Sequence, residues 1–204
     1  MAKDIIDPAE IDLTALLGSR LCHDLISPIG AIGNGLELLE LAQSSPSEEV
    51  ALIRASVSAA AARIKFFRIA FGAAQADQTV SAKEISAVID AAYADTRLSV
   101  SWSAPGEHAR AEVKIACLAL ACIDHALAWG GQIDIRRASS SWVLHATADR
   151  LKYTPELWDH LTKGTPMADL SGGEVQFGLL ADIARRARRP VSVTATERNL
   201  SILI

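Results

Sequence analysis

The sequence predicts an α+β protein, an N-terminal antiparallel helical hairpin followed by an α/β sandwich. Three observations carry this. Two long N-terminal stretches repeat apolar residues every three or four positions, the signature of amphipathic helices. The pattern breaks at "AAQADQT", and beyond it short alternating runs interleave with helical ones. The 204 residues suffice for two small cores, so the boundary falls near 75–80, giving units 1–77 and 78–204.

The first helix is expected to start at "DPAE", residues 7–10, with Asp7 as cap, Pro8 in the first turn and Glu10 closing a capping box. Leu21, Leu25, Ile29, Ile32, Leu36 and Leu39 line one of its faces, and it runs out near "AQSS". "SPSE" at 45–48 repeats the start signal, with Ser45 as cap. Val50, Ile53, Val57, Ala60, Ile64, Phe67 and Phe71 then form a coiled-coil-like seam. Two long helices on a short loop make a hairpin that cannot bury both apolar stripes alone. Pairing two copies in a four-helix bundle would, so a homodimer is expected.

In the second unit "SAKEISAVIDAAYA" reads as a helix and "RLSVSWS" as a strand. "ARAEVKIACLALACIDHALAW" is a longer, buried helix. "GQIDIRR" and "SWVLHATA" are strands joined at "ASSS". "TPELWDHL" is a short helix capped by Thr154, and "GGEVQFGLLADIARRARR" a longer one. "VSVTAT" and "LSILI" close the chain as a hairpin around "ERN". This order suggests helices packed on one sheet.

Apolar residues make up 50% and charged residues 22% of the chain, which describes a globular protein rather than a disordered one. The net charge of −4 argues against a nucleic-acid partner, and "ARRARRP" at 184–190 reads as a solvated helix face. No apolar stretch is long enough for a membrane span. Three cysteines, Cys22, Cys117 and Cys122, give no disulfide framework and suit a reducing cytoplasm.

Chemistry concentrates on the first helix. Ser27, Gly30 and Asn34 lie four, seven and eleven residues after His23 and share its side, flanked by Arg20, while the leucines point the other way. His23 therefore faces solvent on a stripe of small and polar residues. Asp24 is adjacent and can fix which ring nitrogen is free. Pro28 removes the hydrogen bond to the Asp24 carbonyl and is expected to kink the helix there. Gly30, Gly33 and Gly35 each weaken the helix by about 0.5–1 kcal/mol relative to alanine. Neighbouring helical side chains diverge by about 100°. That argues against a metal site at His23–Asp24 and against a Cys22–His23 nucleophilic pair. Cys117, Cys122 and His125 match no zinc spacing and read as core.

"HDLISPIGAIGNGLELL" resembles the phosphoacceptor box of dimeric histidine kinases, an H-D/E-L-x-x-P core followed by small residues. In detail it is similar to the histidine phosphotransferases of the ChpT type, in which this hairpin precedes a degenerate histidine-kinase-like (Bergerat/GHKL-type) ATP-binding domain. "GLLADIARRARRPVSV" adds to the resemblance, which extends over the whole chain. A working kinase domain carries an Asn-bearing helix, an Asp-x-Gly-x-Gly turn and a glycine-rich lid. Here the helix reads "CLALACIDHALAWGG" without asparagine, "DRLKYT" follows the adenine-side Asp149 without either glycine, and the lid is short. Without backbone N–H groups free to cradle phosphate, a nucleotide site loses its main source of affinity.

The resemblance implies a relay. His23 takes a phosphoryl group from the receiver aspartate of a hybrid histidine kinase, with Asp24 orienting or deprotonating the ring, and passes it to a downstream response regulator, of the CtrA or CpdR kind in that family. Mg²⁺ comes from the receiver, so no cofactor or metal residue is expected on this chain. Ser27 stands where bifunctional kinases use Thr or Asn to aim a water. Arg20, Asn34, Arg63 and Lys65 are candidate receiver contacts, and Pro28 and Gly30 shape the surface. Two other readings are an ATP-dependent kinase with an atypical nucleotide site and a non-catalytic dimeric scaffold.

Overall fold

The computed structural model describes residues 12–42, 47–167 and 169–204. Helices α1 (Leu13–Ala42) and α2 (Glu48–Ala70) pair as a hairpin. Asp12 caps α1, its Oδ1 accepting from the Ala15 N–H at 2.9 Å, whereas the expected start at 7–10 lies outside the described residues. The cap of α2 is Ser47, accepting from the Val50 N–H at 3.3 Å. It places Glu48 and Glu49 in the first turn, where the helix dipole favours them. Ser45 and Pro46 lie outside the described residues.

Small residues close the hairpin. A Cβ on Gly18 would come within 3.0 Å of the Phe71 carbonyl oxygen, and Gly33 faces Val57. Leu21, Leu25, Ile32 and Leu39 consequently point away from α2 and are exposed in the single chain, while Ile29 and Leu36 are half-buried. The seam expected on α2 is split. Val50 is buried, but Ile53 and Phe67 are exposed. The reason is that α2 has a second neighbour: Phe66, Ile69 and Ala70 turn towards the rest of the protein and join its core.

That remainder runs β1 (Thr79–Ser81), α3 (Ala82–Tyr93), β2 (Leu98–Trp102), β3 (Glu107–Ala109), α4 (Arg110–Ala126), β4 (Gly131–Ala138) and β5 (Ser141–Thr147). Then come α5 (Pro155–Lys163), a 3₁₀ turn (Gly172–Glu174), α6 (Val175–Arg186), β6 (Ser192–Ala195) and β7 (Asn199–Leu203). The main sheet has the order β2-β4-β5-β7-β6, with β2 and β4 parallel and the other neighbours antiparallel. Helix α4 supplies the crossover that a parallel pair requires. Strands β1 and β3 form a separate antiparallel pair that the sequence reading missed, because three residues are too few to show a period.

Alternation along the strands buries Ile133 and Ile135, Trp142 and Leu144, and Leu200 and Ile202 beneath the helices. The other face is polar, with Asp134 paired to Arg136 and His145 bonded to Ser201. Helix α4 is buried along nearly its whole length, as its composition predicts. The turn from α4 into β4 needs Gly130, at φ +102, since a Cβ there would lie 2.6 Å from the Arg97 carbonyl oxygen. Thr154 precedes α5 as expected, but its side chain makes no capping bond.

The "ARRARRP" run is not one solvated face. Helix α6 stops at Arg186, Arg185 and Arg186 pair with Asp182, and Arg189 turns inward. Arg189 donates to Glu112 at 2.6 Å and to the carbonyls of Ser140 and Ile204. Glu112 also accepts from Arg137 at 2.8 Å and from the Trp142 indole at 3.2 Å, so one carboxylate joins α4, β4, β5 and the segment after α6. Burial alone would raise the Glu112 carboxyl, but Arg189 and Arg137 outweigh it and hold it below the ordinary carboxylate range.

A folded-state pKa below the unfolded value stabilises the protein fully above about pH 4.3, and this contribution is lost as pH falls through the folded value. Glu112→Ala is therefore expected to cost about 3 kcal/mol at pH 7, since two arginines lose their partner. Urea unfolding at pH 7 and at successively lower pH tests this; the penalty should shrink as pH falls through the folded value.

Candidate functional site

The candidate site lies on α1. The His23 side chain is 81% exposed. Ser27, Gly30 and Asn34 are exposed on the same side of the helix, and a Cβ on Gly30 or Gly35 would meet nothing within 4 Å. The ring thus projects over a low surface that leaves an approach open. Helix α1 continues unbroken past Pro28, although proline supplies no N–H to the Asp24 carbonyl.

Adjacency in sequence suggested that His23 and Asp24 point apart, yet the side chains lean together. His23 Nδ1 stands 3.2 Å from Asp24 Oδ1, and Arg20 Nε stands 2.7 Å from Asp24 Oδ2. An ionised carboxylate only accepts, so Nδ1–H is the donor and the lone pair of Nε2 faces outward. The His23 hydrogen bond, with help from Arg20, holds the Asp24 carboxyl below its ordinary range. Asp24 therefore stays ionised at neutral pH. Arg20 is engaged here, one turn before Asp24, rather than standing alone as a partner contact.

Cys22 is buried on the opposite, inward side, where burial pushes its thiol up, so it provides no thiolate beside the histidine. Arg63 is likewise not a free surface cation. Its Nη2 lies 3.1 Å from Asp124 Oδ2, and the guanidinium sits 4.8 Å from the Tyr93 ring centre. The Tyr93 hydroxyl donates to the same carboxylate at 3.1 Å. Arg63, Asp124 and Tyr93 thus tie α2 to α4 and α3. The sequence signal was Asp124 itself, a carboxylate following the apolar run of α4. Lys65 remains exposed.

Asp149 is exposed at the end of β5, on the wall of an open cleft of about 840 Å³ shared with Arg97, Trp129 and Arg150. On the helical side of that strand end, the Lys152 N–H donates to the Ala126 carbonyl at 2.7 Å. Phe177 packs edge-on against both His125 and Trp158, and Tyr153 stacks on Trp158. These rings join the end of α4 to α5, α6 and the segment after β5. Cys117 and Cys122 are fully buried, and burial raises both thiols. Among the described residues no group of three or more His, Cys, Asp and Glu side chains could hold a metal. Nor, among them, is any helix long and apolar enough to cross a membrane.

A family model described as the histidine phosphotransferase C-terminal domain matches residues 82–199, from α3 to the start of β7. The chain is 32% identical over 200 residues to the protein phosphotransferase ChpT of Brucella abortus (strain 2308), covering 93% of each. It also superposes on a solved bacterial phosphotransferase with a TM-score of 0.69 at 28% identity, covering 97% of this chain and 98% of that one. The match of the model to more than half of the chain, together with a relative similar along nearly its full length, places the protein in one family: it is a member of the ChpT-like histidine phosphotransferases.

Proposed function

We propose that the protein relays phosphoryl groups between receiver domains, with residues 1–77 as the transfer hairpin and 78–204 as a body that no longer serves ATP. The observation that carries this reading is the exposed His23 ring, its Nδ1 held by Asp24 and its Nε2 free. In the forward step the Nε2 lone pair attacks the phosphorus of a receiver's aspartyl phosphate. The P–N bond forms as the P–O bond to the aspartate breaks, and the carboxylate leaves with the electron pair. The Nδ1 proton stays on the ring, and Asp24 stabilises the charge that develops there. The second receiver's aspartate reverses these bonds. Mg²⁺ enters with the receiver's acidic pocket, and this chain contributes alignment and charge stabilisation.

Three further features support the reading. The stripe around Gly30 leaves room for a receiver. The outward row of Leu21, Leu25, Ile32 and Leu39, with Ile53 and Phe67 of α2, is the apolar surface that a second copy would cover in a four-helix bundle. The packing of Trp158 and Phe177 near the strand end that carries Asp149 favours a body without a nucleotide site. The body's proposed role is to extend the docking surface beside the hairpin.

Transfer from a phosphorylated receiver to the protein, with His23→Ala as the control, tests the relay. The wild type should acquire label and His23→Ala none; equal transfer through both would leave a scaffold. Incubation with labelled ATP should leave His23 unmodified, and robust labelling would mean an autokinase. Asp24→Asn offers an amide donor to Nδ1, moves the proton to Nε2 and should slow transfer about 10–100-fold. Arg20→Ala should slow it less, and not at all in the Asp24→Asn background.

Gly30→Leu should leave the fold intact, since its side chain meets open space and improves helix propensity, yet obstruct receiver-dependent labelling. Ile32→Glu is expected to convert a dimer into a monomer by sedimentation, because a charge cannot be buried unpaired in the bundle seam.

A further inference from the structure

Where the foot of the hairpin meets the α/β body lies an open cavity of about 610 Å³. Its polar wall carries Lys65 and Arg68 of α2 and Arg110 of α4, against one carboxylate, Glu84 of α3. Neither Lys65 nor Arg68 pairs with a carboxylate among the described residues. Arg110 is more than nine-tenths buried; its Nη2 donates to the Arg68 carbonyl at 2.7 Å, but Nη1 has no partner. Such an orphaned cationic nitrogen is costly, and the neighbouring Arg68 charge makes it costlier. The wall also holds the start of α4, whose cap residue, Ala109, supplies no side-chain acceptor, although the Arg110 N–H donates to the Gln78 carbonyl at 2.8 Å and Glu112 stands in the first turn.

We propose that this cavity binds a small phosphate-bearing molecule, with Lys65 and Arg68 holding the phosphate oxygens and the buried Arg110 charge standing behind them. Three cations against one carboxylate leave two positive charges, which a phosphate dianion neutralises and a single carboxylate does not. Guanidinium groups match phosphate oxygens in pairs of parallel hydrogen bonds. The cavity is larger than a phosphate ion, and Val80 and Val88 give it an apolar side that suits an attached organic group. Ser19, whose Oγ accepts from the Ala73 N–H at 2.8 Å, lines it one helical turn before His23 on the same side of α1, so the site adjoins the foot of the exposed histidine stripe.

The test is titration of the full chain with inorganic pyrophosphate at constant ionic strength, read by calorimetry and by melting temperature. The wild type should bind saturably with one site and melt higher, and the double variant Lys65→Ala/Arg68→Ala should lose both effects. Arg68→Ala alone should weaken binding about tenfold, the loss of one charge-assisted contact. It also serves as the readout should the double variant fail to fold. Arg198→Glu, in the separate cleft beside Asp149, should bind as the wild type does. Absence of saturable binding, undiminished binding in Arg68→Ala, or loss of binding in Arg198→Glu would each overturn the assignment. Because binding is read without a receiver, the result stands apart from the outcome of the transfer assays.

Discussion

The structure depends on helix α2 being packed from two sides. One side meets α1 closely, with Val57 against Gly33, while Phe66, Ile69 and Ala70 sink into the core of the α/β body. One helix thereby belongs to the hairpin and to the body at once. Arg63, Asp124 and Tyr93 lock this arrangement with a shared carboxylate, and Arg110 and Lys114 complete it by donating to the Arg68 and Gly72 carbonyls at the end of α2. The body cannot turn about α2 without exposing Phe66 and breaking these bonds. Fixing α2 fixes α1, and so fixes where His23 stands relative to the body.

That arrangement leaves α1 with three kinds of surface. The inward side, with Ala15, Gly18, Cys22 and Gly33, is given to α2. The leucine side is left apolar and outward, a free-energy cost that a second copy would remove by burial. The third side carries His23, and there the residues are small. In the proposed relay this division has a mechanical meaning: two sides hold the helix still, and the third is kept clear for a partner. Asp24 and Arg20 belong to the third side, and their chain of contacts fixes the imidazole proton on the inner nitrogen.

In the body, the layered architecture is filled by large side chains near the end of β5, which the proposed scheme reads as the loss of a nucleotide site. Trp158 and Phe177 are buried in the helical layer, and Lys152 ties the segment after β5 to the end of α4. A relay protein has no need of ATP, so such packing carries no functional cost in the proposed scheme.

Much of this was legible from residues alone. The hairpin, the long buried helix, the strands of the main sheet and the exposure of His23 follow from periodicity, because a 3.6-residue or two-residue repeat records which side meets water. The family likeness was legible in "HDLISP" and its small-residue sequel. Tertiary structure decided what periodicity cannot encode, namely which of several polar groups meet. Arg63 reads as a surface cation until Asp124 and Tyr93, distant in sequence, are brought beneath it. Arg189 reads as solvated until Glu112 arrives from α4. His23 and Asp24 diverge on an ideal helix and meet only through their rotamers and Arg20. Burial is a property of one helix face and is written locally. Pairing of charges depends on contacts between distant segments, and only the folded chain makes them.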